Sequence, residues 1–379
     1  MKGTKAYITD FIGLDLLRFL LSVIVVINHY YFFYFRFVDV NAAIIKVQPF
    51  YNVLFLFYNW GFYAVHVFWL ISGVIFNSIY YRELEHSEIG FGEFMFLRFS
   101  RLYPLHFVTF IAVAILQLFY FRTYGNFFIA QSQDVKHFIL QLFYVASWYP
   151  DFKHSFNVPA WSVSVEIFVY VIFFLLAATK IIKDKGLILV IAFVIACHVF
   201  GILKPFSQCL VFFFSGCILG RLIDSGIGLK TLLLRYATLS AGLATLIVGI
   251  YFYYSSSYYQ SRDLWIDFLL IPACSSLVLL FILLFRDVSS RGWIKGMKNL
   301  GNMTYSMYMV HFPIQLAMYL LLAPRDEHIF NNPLTLISFM AISIVTGWVA
   351  YEYFEKPVQK YLRIRFGTPR ETLYAGNKV

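Results

Sequence analysis

The chain has 379 residues, 60% of them hydrophobic and 13% charged, with a mean hydropathy of +0.72. So little polar surface cannot cover a water-soluble globule, which leaves a polytopic membrane protein. The formal net charge of +10 would suit a nucleic-acid binder, but the basic residues fall between apolar spans, where membrane orientation accounts for them without a nucleic-acid partner.

Apolar patterning predicts ten spans, at 14–35, 53–79, 104–121, 158–179, 187–203, 206–223, 231–254, 264–285, 303–323 and 333–354. The fold expected is an all-α polytopic membrane helix bundle of about ten transmembrane helices. With the N-terminus inside, 21 of the 30 lysines and arginines fall in cytoplasmic segments and 8 in outer loops, so both termini are expected in the cytoplasm. Met1 to Asp10 carries two lysines and no small-residue cleavage site, so 14–35 is expected as a retained span. The longest connection, 122–157, holds an apolar piece from Phe138 to Trp148 that is too short to cross a bilayer. It is expected to be re-entrant or interfacial, and to roof a site on the outer side. Cys197, Cys209, Cys217 and Cys274 lie in apolar runs without a Cys-x-x-Cys pair. They read as packing residues, with no disulfide framework and no metal site. No internal repeat stands out, which disfavours the inverted-repeat architecture of many transporters.

Polar residues inside these spans carry the functional signal, because ionisable groups in lipid are costly and usually face an interior. In the first span, Arg18 and His29 are eleven positions apart, near three whole turns, so on a helix they lie about 16.5 Å apart on one face, which Asp15 and Ser22 share. Either Arg18 pairs with Asp15 and His29 packs within the bundle, or the stripe lines a functional interior. Small Ser72 and Gly73 in FWLISG allow close approach of a helix or a ligand; His66, one turn earlier, reads as a packing residue. Arg98 and Arg101, three apart, share a helix face and would either grip a phosphate through two guanidinium forks or anchor an interfacial helix to headgroups. In NVPAWSVSVE, Pro159 suits a helix start, and Ser162 and Glu166 then share a face beside Trp161. Glu166 is a candidate acid or base, or else a buried partner for Arg18 or His29. Tyr305 and Tyr308 lead to His311, and Pro313 frees the carbonyl of Met309, which must then line a cavity or find a neighbour. In YEYFEKP, Glu352 and Lys356 are placed to pair, and Pro357 to stop the helix.

Taken in this order, these stretches resemble the integral-membrane acyltransferase 3 family, which includes bacterial O-antigen and exopolysaccharide O-acetyltransferases. The resemblance runs from Gly13 to Pro357. Arg18 and His29, with ten residues between them, are similar to the family's first-helix pattern; FWLISG resembles FFxxSG; Arg98 and Arg101 match R-x-x-R; WSVSVE and EKP also match. The family often has two consecutive acidic residues after WSLSV, whereas Glu166 is followed by Ile167, and Trp69 and Val310 stand where Phe and Trp are common.

The resemblance implies a membrane acyltransferase domain over 1–357, with 358–379 a short basic cytoplasmic tail. It implies transfer of an acyl group, commonly acetyl, from cytoplasmic acyl-CoA to a hydroxyl of an extracytoplasmic or lipid-linked glycan, in the bacterial inner membrane. Acyl-CoA would be a substrate, with no tightly bound cofactor. His29 would be the base, with Arg18 in the same catalytic set and Glu166 orienting the base or relaying a proton. Arg98, Arg101 and Ser72 would bind acyl-CoA, while Asp15, Trp161, Ser162, Tyr308 and His311 would line the acceptor side or the cavity. The rival reading is a transporter or flippase for a small anion or lipid-linked sugar, using the same intramembrane charges as a pathway.

Overall fold

A computed structural model describes residues 12–34, 46–149, 153–183, 185–254, 268–285 and 299–367. No strand occurs among them. A chain this apolar must satisfy its backbone within each segment, and in lipid the helix does so. By length and composition, six helices can cross a membrane: Ile12–Tyr34, Tyr63–Glu85, Phe91–Tyr124, Val158–Ala178, Phe206–Asp224 and Pro333–Phe366. The chain is an all-α polytopic membrane protein. The two termini and most of the expected 286–302 loop lie outside the described residues.

In chain order, α1 (Ile12–Asn28) continues into a 3-10 turn, His29–Tyr34. The single span expected at 53–79 is two helices, α2 (Tyr51–Trp60) and α3 (Tyr63–Glu85). Their break at Gly61 has a physical cause. A Cβ there would lie 2.7 Å from the Cβ of Asn28, and Asn28 Nδ2 donates to the carbonyls of Tyr58 (2.8 Å) and Phe57 (3.3 Å). The last residue of α1 thus donates to two carbonyls at the end of α2, of which that of Phe57 also accepts from the Gly61 N–H at 3.0 Å. Next, α4 (Phe91–Tyr124) runs for 34 residues through Pro104, joining the arginine stretch and the expected 104–121 span into one helix. Short α5 (Val135–Leu142) is capped by Asp134, whose carboxylate is held below its ordinary pKa chiefly by the backbone N–H of His137.

Then come α6 (Trp161–Ala178), α7 (Gly186–Val199), α8 (Lys204–Asp224), α9 (Leu229–Tyr254), α10 (Ile271–Phe285), α11 (Thr304–Leu322) and α12 (Pro333–Ala350). At 14 residues, α7 is shorter than expected. Pro357 does not end the last helix. A π-turn, Tyr351–Glu355, intervenes, and Pro357 sits in the first turn of α13 (Lys356–Phe366), where a missing N–H costs nothing.

The chain divides into two compact units. The first comprises Met1–Leu17, His66–Gly90 and Val171–Lys298. Within it the FWLISG motif is a helix crossing: a Cβ on Gly73 would lie 1.9 Å from the Phe213 carbonyl oxygen, and one on Gly216 2.0 Å from that of Leu70. Small residues permit such backbone approach in membranes. Gly73→Val should therefore abolish monodisperse folded protein on size-exclusion chromatography, because overpacking costs about 1–3 kcal/mol even where neighbours can yield, and backbone cannot. Gly90→Ala, with open space around its Cβ, should behave like the parent. Equal profiles for Gly73→Val and the parent would refute the crossing. All four cysteines are buried and free.

The second unit comprises Arg18–Val65, Phe91–Tyr170 and Asn299–Val379. Here α11 packs on α12 and α4, and α13 on α4. Gly347 of α12 lets the backbone of Met307 approach to 2.8 Å from where a Cβ would stand. An aromatic core that includes Tyr30, Phe33, Phe312, Tyr319, Phe330 and Phe339 fills this unit around the ends of α1 and α11.

Candidate active site

His29 is the first residue beyond α1, at the point where winding tightens to a 3-10 turn. Its carbonyl accepts from Gln315 Nε2 at 2.9 Å. Its ring stacks on Phe32 at 4.9 Å and on His311 at 5.1 Å between centroids, and its Nδ1 lies 2.8 Å from His311 Nε2. His311 is fully buried on α11. His311 Nδ1 is buried with no hydrogen-bond partner among the described residues. Across the Nδ1–Nε2 contact one ring donates and the other accepts, as the tautomer sets. When His29 Nδ1–H is the donor, the unprotonated nitrogen of His29 is Nε2.

A loop residue holds α11 beside this pair. Pro313 has no N–H for the Met309 carbonyl, and Asn157 Nδ2 donates to that oxygen at 3.3 Å. Asn157 is wholly buried and is itself held by Gln141, whose Nε2 donates to the Asn157 carbonyl at 3.1 Å. The 138–148 stretch forms the end of α5 and a 3-10 turn, Ala146–Trp148, with Trp148 Nε1 donating to the Ser164 carbonyl at 2.8 Å. In the same connection the Tyr144 ring stacks on His106 at 3.6 Å. Burial pushes the Tyr144 phenol well above its ordinary pKa, so it stays neutral and can donate to Tyr305, 2.9 Å away, which donates to the Leu102 carbonyl.

The start of α6 meets α11 next to His311. Tyr308 donates to the Pro159 carbonyl at 2.8 Å, Ser162 Oγ lies 2.8 Å from the Tyr308 oxygen, and the Tyr308 and His311 rings are 5.6 Å apart. Glu166, half-buried one turn along α6, hydrogen-bonds Tyr170 and lies within electrostatic reach of Tyr308. Trp161 stands edge-on to His154 at 6.3 Å, and His154 is within electrostatic reach of His29.

Arg98 is buried, and both Arg98 and Arg101 act electrostatically on Tyr170. Arg101 and Arg18 act on Glu355, which is 3% exposed and accepts a hydrogen bond from Ser306 Oγ. In the second unit, direct contacts join Ser162, Tyr308, His311 and His29, while Arg18, Arg98, Arg101, Glu355 and Glu166 act on these or on Tyr170 and one another electrostatically. Asp15 and Ser72 belong to the first unit, Ser72 beside the Gly73 crossing.

Glu355, Asn157 and Tyr170 were not singled out from sequence. The expected Glu352–Lys356 pair forms, at 2.8 Å on the surface, and drew attention from its neighbour. The available signal for Glu355 was the EKP match itself, an acid beside a proline in a motif that resembles a family's. For Asn157 it was the Met309 carbonyl, which demanded a donor.

The second unit of this helical membrane protein thus holds a half-buried His29 paired with a buried His311, together with arginines and carboxylates. The family model described as an acyltransferase domain, that of the acyltransferase 3 family, matches residues 11–352, and the chain belongs to this family. No curated protein and no solved structure matches it.

Proposed function

We propose that the protein transfers an acyl group, acetyl by the family's habit, from cytoplasmic acyl-CoA to a hydroxyl of an extracytoplasmic or lipid-linked glycan, in a bacterial inner membrane. The observation that carries this reading is the His29–His311 contact in the same compact unit as Arg98, Arg101, Glu166 and Glu355, in a chain matched by the acyltransferase family model. Arg98 and Arg101 hold the phosphates of CoA through charge-assisted bonds. The slender pantetheine arm brings the thioester to His29. His29 Nε2 takes the proton of the acceptor hydroxyl as its oxygen bonds to the thioester carbonyl carbon. The tetrahedral intermediate then breaks its C–S bond, and the proton passes from His29 to the leaving sulfur. His311 fixes the ring and accepts from Nδ1–H throughout, the part an orienting group plays in a triad. Glu166 and Tyr308 bind the acceptor or relay its proton, and Trp161 offers a face for a sugar ring.

Purified protein in liposomes with labelled acetyl-CoA tests the reading when an extract of envelope glycans is supplied. Release of CoA with label appearing in glycan, both lost in His29→Ala, is the expected result. Flux of label or saccharide across the bilayer without consumption of acetyl-CoA would replace the enzyme with a transporter.

A further inference from the structure

The basic segment after Pro357 does more than anchor the chain. It folds as α13 and sends one cation inward: Arg363 is 2% exposed, while Arg365 two positions on faces out. The Arg363 guanidinium ends on α4. Its Nε donates to Ser100 Oγ at 3.2 Å and its Nη2 to the Leu97 carbonyl at 3.4 Å, and Ser100 Oγ donates to that same carbonyl at 3.2 Å.

These partners flank Arg98 and belong to the turn that ends in Arg101. That turn is intrinsically weak, because Pro104 gives the Ser100 carbonyl no helical partner and crowds it. A proline in a helix interior usually kinks it, and a kink here would swing the two guanidinium groups apart. Burying a cation is costly unless it is hydrogen-bonded, and a headgroup anchor would leave Arg363 in the interface instead. We propose that Arg363 is a positioning residue: it clamps the turn between Leu97 and Ser100 so that Arg98 and Arg101 present a preformed site to the phosphates of the acyl donor. The inference rests on the donor-phosphate reading of those two arginines.

The test uses the full-length protein in lipid nanodiscs, with CoA and pantetheine each competing against labelled acetyl-CoA. Arg363→Lys keeps the charge and loses the fork that reaches two acceptors; Ser100→Ala removes one acceptor by deleting one oxygen. Each should weaken competition by CoA about three- to tenfold, the size of one ordinary hydrogen bond, and leave competition by pantetheine, which has no phosphate, unchanged. Arg98→Lys should weaken CoA in the same selective way. Equal losses for CoA and pantetheine would make Arg363 a packing residue and overturn the proposal, as would parental behaviour of both variants beside an impaired Arg98→Lys. If Arg98→Lys and Arg101→Lys both compete like the parent, the donor-phosphate reading fails and this inference falls with it. Should Arg363→Lys not fold, Ser100→Ala decides the matter by the same readings.

Discussion

His29→Ala should abolish acyl transfer while leaving acetyl-CoA bound. A positioned general base contributes roughly 10²–10⁴-fold, and that part is the one proposed for His29. Donor binding is assigned to Arg98 and Arg101 on α4, so the dissociation constant for acetyl-CoA should change less than about threefold, within the usual scatter of a distant site. Relocating the histidine should not rescue the variant. Position 28 is occupied by the Asn28 amide that caps α2, and position 30 by Tyr30, fully buried with its hydroxyl on the Phe330 carbonyl. His311→Ala should impair turnover less than His29→Ala, since it removes the orienting partner and keeps the base. Undiminished transfer by His29→Ala would sink the assignment and direct attention to His311 or Glu166.

Glu355→Ala should destabilise the second unit. It removes the buried acceptor of Ser306 Oγ and a charge that acts on the half-buried Arg101 and Arg18. Leaving a buried hydroxyl without its acceptor costs about 1–3 kcal/mol. The measurement is thermal stability in detergent, followed by fluorescence-detected chromatography. Glu355→Gln, which keeps a side-chain oxygen for Ser306 and loses the charge, should fall between the parent and Glu355→Ala, and should lose donor affinity because Arg101 and Arg18 reorient. A Glu355→Ala protein as stable and as active as the parent would show that the arginines are satisfied elsewhere.

The amino-acid sequence made the membrane class and the positions of most helices legible, because long apolar runs in lipid have one stable backbone solution. It also exposed the charged residues, since Arg18, His29, Arg98 and Glu166 interrupt those runs. Contacts made by geometry rather than pattern were hidden. Nothing in the periodicity pairs His29 with His311, and the Gly61 break depends on the Asn28 amide meeting α2. Glu355 was obscured for a different reason. Helical spacing assumes 3.6 residues per turn, and the π-turn Tyr351–Glu355 breaks that count, so the spacing does not place Glu355 beside Ser306. The arginine-bearing stretch read correctly as helical, but its continuity through Pro104 was invisible without α13 beside it.

The histidine pair has a consequence in time. Its two members are 282 positions apart, and the nascent chain leaves the ribosome from its N-terminus, so His29 enters the membrane long before its partner exists. Until α11 has been made, His29 has Phe32 beside it but no His311 to bond its Nδ1 and no Gln315 to hold its backbone. The pair is thus among the later contacts of the second unit to be assembled, and a chain truncated before α11 carries His29 without its partner.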